Sequence, residues 1–548
     1  MKAFPILVAV LVAVIVFQLV VDFKSSSLQD DAYMFVRYAD CIIQTGVASF
    51  NSGGEATYGL TSPAFLTIAL PLRAIFTENP VLTMLCSSSI SGLFFIMMLV
   101  LLIRKINDGN SAPIKNIVIF VVLLSFVYDV KDFSIHFMSG MDTMQTLAFL
   151  TGFILLIIWH QKSLSVFSTL ITGLLGGLAF SFRPDLLIFT LIVPFVLLIS
   201  SSNSKTRIMA AVMLLMTALV VLLQVLFYSE YLNSPLPLPF YAKSIDNYGA
   251  HFQEIYTLFP LKQFARFIFS FPFLFSAMGI AFFIDIKGLW RWFSGTGKGL
   301  LIATAVFMGY HLFFVTPIMD YSQRFYYPAL PAIVFLSIQC MKFIYKRTSL
   351  QEIIESGSLG RINSRAIMAL FLLFLVFAFG TPVTEEAYKQ LVCDKDGYTG
   401  FDITEEYRAR WTGYWFCLDK FSELPADLVI AATEVGHPLA MNPEKMIIDM
   451  TGLNETEIAH FGFSSDTFFH SYQPDLIFMP HPDYQDMIQS INENQYFKSN
   501  YEVYSGLYLS TTLALAVKTD SKYYQQMRQI VSDHCKSIWF GEASECIF

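Results

Sequence analysis

Charge is scarce in this chain. Asp, Glu, Lys and Arg make up only 14% of its 548 residues, against 55% hydrophobic. That leaves too little polar side chain to cover a soluble fold of this size, and it places the chain among polytopic membrane proteins. Positive charge is the scarcer sign, with 35 Lys and Arg against 43 Asp and Glu. A basic face for nucleic acid is therefore not expected. The seven cysteines show no CxxC and no other metal-type spacing, which argues against a structural zinc site. No glycine-rich phosphate loop is found. The first apolar run, residues 4–21, ends at Asp22-Phe23-Lys24 without a small-x-small cleavage site, so it reads as a retained span.

Apolar runs able to cross a bilayer recur to about residue 384. They cover residues 4–21, 82–103, 117–127, 144–159, 164–180, 186–199, 208–227, 267–284, 300–315, 325–344 and 367–379, about eleven in all. Residues 65–76 form a further apolar run, but it is short and carries Arg73. It reads as a re-entrant or interfacial helix. With it set aside, alternate loops collect the basic residues, among them Lys2, Arg104, Lys105, Lys205, Arg207, Arg291, Lys346 and Arg347. The positive-inside rule makes that side cytoplasmic. The other side receives the loop after residue 22, Ser139-Gly140-Met141-Asp142, Arg183-Pro184-Asp185, residues 235–243 and residues 320–324. An odd number of spans leaves the C-terminus outside.

The expected fold is thus a polytopic α-helical membrane protein. Residues 1–384 form a transmembrane domain whose first outer loop, 22–80, holds interfacial helices. Residues 385–548 form a soluble α/β domain outside. Hydropathy falls there, and short strand-like runs appear at 428–432, 446–449 and 476–479. Residues 504–517 could add a strand or hairpin, and 523–531 a helix. Cys393, Cys417, Cys535 and Cys546 all fall in this domain. In an oxidising compartment they suggest two disulfides, with Cys393–Cys417 and Cys535–Cys546 preferred because their loops are short. Four free thiols are the alternative.

Asp30 and Asp31 stand just past the first apolar span. Tyr33, Met34, Tyr38, Cys41 and Ile42 then recur at roughly helical spacing, and Gly46 is placed to stop the helix. The acids therefore sit at the start of a short amphipathic helix at the membrane surface. They could do chemistry there, or only cap the helix and complement its dipole. Four more polar clusters share the outer side. They are Ser139–Asp142; Arg183-Pro184-Asp185, where Pro184 starts a helix; residues 233–243; and Gln323-Arg324-Phe325-Tyr326-Tyr327-Pro328. Alternating prolines at 235, 237 and 239 are expected to force an extended strand that delivers Tyr241 and Lys243. Taken singly, each cluster reads as an interface anchor or internal salt bridge. Together, acids and bases on one face suggest a pocket for an anionic ligand with acid/base chemistry.

In order along the chain, these motifs resemble the GT-C glycosyltransferases, most closely the terminal arabinofuranosyltransferase family. That family carries a DDAY-x-x-x-RYA loop followed by N-x-G-E and GYTSP-like elements. Here they read Asp30-Asp31-Ala32-Tyr33, Arg37-Tyr38-Ala39, Asn51-Ser52-Gly53-Gly54-Glu55 and Tyr58-Gly59-Leu60-Thr61-Ser62-Pro63. Gly140-Met141-Asp142-Thr143 is similar to the family's G-[ML]-E-T, with Asp for Glu. Arg183-Pro184-Asp185 resembles its RPD or RPE. Pro235-Leu236-Pro237 through Tyr241-Ala242-Lys243 resembles its PLP-x-x-YAK, with a two-residue offset. Arg324-Phe325-Tyr326-Tyr327-Pro328 resembles RF-x-x-P, and Asp449-Met450-Thr451-Gly452-Leu453 resembles D-x-TGL.

The resemblance implies a GT-C-like fold at the plasma membrane of a bacterium. It implies inverting transfer of a sugar, a pentofuranose such as arabinofuranose, from a polyprenyl-phosphate donor to a cell-envelope acceptor on the outer face. The acceptor hydroxyl attacks the anomeric carbon through an oxocarbenium-like transition state. By alignment Asp30 is the base that takes the acceptor proton. Asp31 would orient it, bind acceptor or hold a divalent cation. The two adjacent acids do not share a helix face, so only one points at the reaction. Arg324 and Lys243, with Arg183 third, would meet the leaving phosphate. Asp142 and Asp185 would bind sugar hydroxyls, and Tyr33, Glu55, Tyr58 and Tyr241 would line the sugar or acceptor. Other functions remain open: a lipid-linked oligosaccharide ligase with a pilin-type or lipid acceptor, a lipid-linked sugar flippase, and a membrane assembly protein.

Overall fold

The computed structural model describes residues 8, 9, 11–17, 19, 30–163, 165–243, 259–315, 321–347, 420–480, 484–505 and 514–537. Contacts divide the chain into two units. One gathers Met1–Ser27, Leu85–Gln224 and Leu258–Tyr398; the other gathers Leu28–Met84, Val225–Thr257 and Thr399–Phe548.

The first unit is helical. Among the described residues of the chain, five helices are long and apolar enough to cross a membrane: Pro80–Ile106, Thr143–Gln161, Ser204–Tyr231, Pro272–Trp292 and Tyr327–Arg347. Ala112–Tyr128 and Val130–Met138, bent by 73°, add a sixth if counted as one broken span. Large apolar side chains such as Leu93, Phe94, Leu215, Leu223 and Phe283 are exposed on these helices. In water such a surface would be a liability; in a multi-pass membrane protein it faces lipid. The Leu330–Arg347 helix is buried on almost every side. It packs against Pro272–Trp292, Gly295–Phe313, Thr143–Ser163 and Ala112–Tyr128. Elsewhere small residues let backbones close up: a Cβ on Gly299 would stand 3.0 Å from Val193 Cα, and the backbone would have to give by a few tenths of an ångström where Gly295–Phe313 crosses Leu187–Ser200.

Most expected spans lie on helices whose ends differ by a few residues. One is divided. Residues 267–284 begin in the Phe259–Ser270 helix, break at Phe271 and continue in Pro272–Trp292. The proline ring disfavours helical backbone at the residue before it, and Phe271 sits at φ −121°, ψ 53°. The expected span at 367–379 lies outside the described residues.

The second unit contains a five-stranded sheet of β1 (Val429–Ala432), β2 (Met446–Asp449), β3 (Leu476–Phe478), β4 (Tyr501–Ser505) and β5 (Ala514–Lys518). The order is β2-β1-β3-β5-β4. β1 runs parallel to β2 and β3, while β5 is antiparallel to both β3 and β4. β1, β2 and β3 match the expected runs at 428–432, 446–449 and 476–479, while β4 and β5 lie at the two ends of the expected strand or hairpin at 504–517. The buried runs Ile447-Ile448 and Leu476-Ile477 show why: strands covered on both faces read as continuous apolar stretches.

The unit also takes in Leu28–Met84 and Val225–Thr257. Ala32–Thr45 is a helix, and it ends at Gly46 with φ +75°, as its spacing predicts. Its first half is enclosed by the protein, with Ala32, Met34, Phe35, Val36, Arg37, Tyr38 and Ala39 all buried, while Ile43 near its end is exposed. The Leu66–Ile75 helix is ten residues, about 15 Å long and half a bilayer core, with Pro71 inside it. Its Arg73 pairs with Asp40 at 2.6 Å, which ties the two helices together. The expected extended strand at 235–239 is corrected. Pro237 is extended, at ψ 137°, but Leu238–Ala242 is helical, because a proline at the second helical position costs no hydrogen bond.

Candidate functional site

In the second unit Asp30 stands beside the segment that follows the carboxyl end of β1. The Asp30 Oδ2 accepts a hydrogen bond at 2.9 Å from the backbone N–H of Gly436, four residues past the end of β1. A Cβ at position 436 would overlap the Asp30 carbonyl oxygen, so the approach requires glycine. Asp31 occupies the N-cap position in helical backbone geometry and its side chain makes no capping hydrogen bond. The capping role therefore does not account for it. Both acids are half-buried. Burial first, and then the nearby Asp30 charge, raises the Tyr33 phenol above its ordinary pKa.

The rest of that motif builds the mount. Arg37 is buried and donates to the carbonyls of Phe50 (2.8 Å), Lys445 (2.9 Å) and Pro443. The Asn51 amide pairs with both backbone groups of Ile447, at 2.9 and 3.0 Å, and so closes the open edge of β2 like a further strand. Tyr38 O–H donates to Asn454 Oδ1 at 3.1 Å and accepts from the Gly59 N–H at 3.1 Å. Asn454 in turn is held by Asp449, whose carboxylate accepts four hydrogen bonds from Thr451 and Asn454. The DDAY-x-x-x-RYA, N-x-G-E and D-x-TGL elements thus form one hydrogen-bonded assembly. Next to it, burial and then the Asp449 charge raise the Glu455 carboxyl to about 7; it accepts from Tyr472 O–H at 3.0 Å.

Of the other expected residues in this unit, Tyr58 is buried, with its ring 4.6 Å from that of Tyr228. Its carbonyl accepts from Leu238 N–H at 2.7 Å, which ties the GYTSP-like element to the proline segment. Tyr241 packs its ring 4.2 Å from His460. Lys243 ends that helix and is half-buried, whereas Glu55 is exposed on the turn closed by Ser49 and Ala56.

The first unit brings Arg183, Asp185 and Arg324 together. Pro184 starts the next helix, as expected, and Arg183 lies at the junction in extended backbone. Its guanidinium pairs with Asp185 at 2.6 Å, both nearly buried, and reaches the Arg324 carbonyl at 3.5 Å. His311 Nε2 lies 3.0 Å from the same Asp185 oxygen. The Phe325 ring is the shared floor: Arg324 lies 5.3 Å and Arg183 5.9 Å from its centroid, and the His311 ring stacks on it at 14°. Planar guanidinium groups over an aromatic face are held in direction while keeping N–H donors for an anion. Arg183 is held by its pair with Asp185, which offsets much of its charge. Asp142 is buried at the start of the Thr143–Ser163 helix, after a turn in which Gly140 at φ +75° donates to Ser88 Oγ.

Four residues of this unit escaped the reading of the sequence. His311 hides within an apolar run. Asp129, Asp132 and His136 lie at or just past the 73° bend, in the segment that leads to Asp142. Three polar residues within eight positions after an apolar run were the available signal. Asp129 accepts from Tyr327 O–H, and Asp132 accepts from Ser322 and Gln323.

Among the described residues no group of three or more His, Cys, Asp or Glu is placed to hold a metal ion. Cys393, Cys417 and Cys546 lie outside the described residues, and Cys535 falls in the Tyr524–Ser537 helix.

No family model and no curated protein matches the chain. Solved structures do. ArnT from Cupriavidus metallidurans in the apo state matches with a TM-score of 0.51 at 13% identity, over 93% of this chain and 97% of that one. The same enzyme bound to undecaprenyl phosphate matches with a TM-score of 0.53 at 13% identity, over 94% and 98%. The likeness runs nearly end to end, and it establishes the GT-C-like fold with its C-terminal sheet.

Proposed function

We propose that the chain is a membrane glycosyltransferase that moves a sugar from a polyprenyl-phosphate donor to a cell-envelope acceptor. The observation that carries this is the fold match along 94% of the chain to ArnT bound to undecaprenyl phosphate. One fold can host many functions, so the ordered motifs of the sequence are the second support for this reading. Motif resemblance adds a finer proposal: the sugar is a pentofuranose such as arabinofuranose, and transfer takes place on the outer face of a bacterial plasma membrane.

In this reading Asp30 takes the proton of the acceptor hydroxyl as that oxygen bonds to the anomeric carbon. The bond from the sugar to the phosphate oxygen breaks, and polyprenyl phosphate leaves. Asp31 orients the base or the acceptor, and a divalent cation beside the two acids is a further proposal. Arg324, with Lys243 and Arg183, neutralises the charge that grows on the departing phosphate. Asp142, Asp185, Tyr33, Glu55, Tyr58 and Tyr241 are proposed to bind the sugar or acceptor. The Asp185 side chain carries His311 and Arg183 with it, so its role includes holding Arg183.

The test is purified protein in detergent with labelled polyprenyl-phosphate sugar and a cell-envelope extract. Transfer of label with release of polyprenyl phosphate supports the proposal. Movement of intact donor across proteoliposomes, with no bond broken, would make it a flippase.

A further inference from the structure

Ser322 and Gln323 stand side by side in left-handed backbone, at φ +47° and φ +54°. Side chains other than glycine enter that region reluctantly, and two in succession persist only where the surroundings hold them. Neither residue is Gly, Asn or Asp, so nothing local favours the turn. The holder is the nine-residue Val130–Met138 helix beyond the 73° bend. Asp132 Oδ1 accepts from the Ser322 hydroxyl at 3.0 Å, and its Oδ2 accepts from the Gln323 amide at 3.3 Å. One turn further along, His136 Nε2 lies 2.8 Å from the Ser322 carbonyl. A carbonyl only accepts, so Nε2 carries the proton. Ser270 holds the far side of the Gln323 amide at 3.4 Å. The only other charged partner that Asp132 shows among the described residues is Arg266 at 3.4 Å, itself half-exposed. Asp132, His136 and Gln323 are buried, and the next residue in the chain is Arg324.

We propose that Asp132, assisted by His136, is a positioning residue for donor binding: it holds the left-handed Ser322–Gln323 turn and so sets the direction in which Arg324 leaves it. This rests on the reading of Arg324 as a phosphate-binding group. A carboxylate suits the task because it offers two separate acceptor oxygens and no donor, one for each of two consecutive residues, whereas an amide offers a single acceptor oxygen beside a donor. The acid acts through the turn and touches no substrate.

The turn chemistry supplies the test. Glycine takes left-handed backbone without a clamp. Binding of undecaprenyl phosphate is measured for the full-length protein and for Arg324→Ala, Asp132→Ala, Ser322→Gly and the Asp132→Ala/Ser322→Gly pair. Hydrogen exchange across residues 321–327 is followed in the same samples. Arg324→Ala and Asp132→Ala should each weaken binding about tenfold or more, the loss expected for a charged hydrogen-bonding group misplaced from a phosphate. Asp132→Ala should also speed exchange in the turn. Ser322→Gly in the Asp132→Ala background should restore most of both, which a merely structural role for Asp132 would not allow. If Asp132→Ala does not fold, Asp132→Asn with Gln323→Glu reverses the amide–carboxylate bond. That pair should then bind better than Asp132→Asn alone. The proposal is overturned if Arg324→Ala is weak while Asp132→Ala binds normally, or if neither paired variant recovers. Normal binding by Arg324→Ala would instead remove the phosphate reading, and the proposal with it.

Discussion

The loop that carries Asp30 and the turn that carries Arg324 are stabilised by opposite means. The acidic loop bends where glycine permits it, at Gly46 and Gly53, with φ +75° and +74°. Its own side chains, Arg37, Tyr38 and Asn51, then reach out to backbone and side chains of the sheet region. The basic turn bends at Ser322 and Gln323, and other elements reach in to hold it. A loop of the first kind keeps its shape through its own sequence. A turn of the second kind borrows its shape, and removing a distant residue should release it.

Apart from changing Asp30 itself, the largest effect is expected where the acidic loop meets the segment after β1. Gly436→Ala puts a Cβ into the Asp30 backbone, which cannot yield cheaply. Displacing a reacting group by about 1 Å can cost on the order of a hundredfold, so transfer by this variant should fall by about that factor. Turnover assays on the purified variant check this. Near-normal rates would mean that the Gly436 contact does not position Asp30.

A smaller effect concerns pH. The Glu455 carboxyl is raised to about 7 in the folded protein, chiefly by burial, against an ordinary value of 4.5. The folded form therefore binds the proton more tightly than the unfolded form. Its stabilising contribution is full below about 4.5 and is lost as pH rises to about 7, a difference of about 1–3 kcal/mol. Thermal unfolding of the second unit should accordingly be later at pH 5 than at pH 8. Glu455→Gln, which keeps an acceptor for Tyr472, should flatten that difference and stabilise the protein at pH 8. An unchanged slope would mean that Glu455 stays ionised when folded.

The smallest effect sharpens the contrast between the two bends. Gly46→Ala forces a Cβ into left-handed backbone in open space, and should cost about 1 kcal/mol with no change in chemistry. Ser322→Gly in otherwise unaltered protein should be nearly neutral, since the backbone relief offsets the lost hydroxyl. Thermal midpoints of the two variants measure this directly. If Ser322→Gly were the more damaging, the turn would depend on its hydroxyl and not on its backbone.

The same contrast explains what could be read beforehand. Gly46 marks its helix end, Pro184 marks its helix start, and the apolar runs at 446–449 and 476–479 mark their strands, because each signal is local. The partner of Asp30 stands 406 positions away, and no spacing rule joins Asp30 to Gly436. Ser322-Gln323 carries no turn signal, since its conformation is imposed by Asp132 and His136. His311 escaped notice for a related reason: within an apolar helix, only its meeting with Asp185 distinguishes it. The proline segment misled because Pro239 is equally at home in an extended chain and in the first turn of a helix.

The central claim is that Asp30 is the base of a glycosyl transfer. The direct measurement is the transfer rate of purified Asp30→Asn from labelled polyprenyl-phosphate sugar, beside its binding of undecaprenyl phosphate. Asn keeps an oxygen to accept from Gly436 N–H but cannot take a proton. The account predicts a folded protein that binds the lipid phosphate normally and transfers about 10²–10⁴-fold more slowly. Near-normal transfer by Asp30→Asn would contradict it.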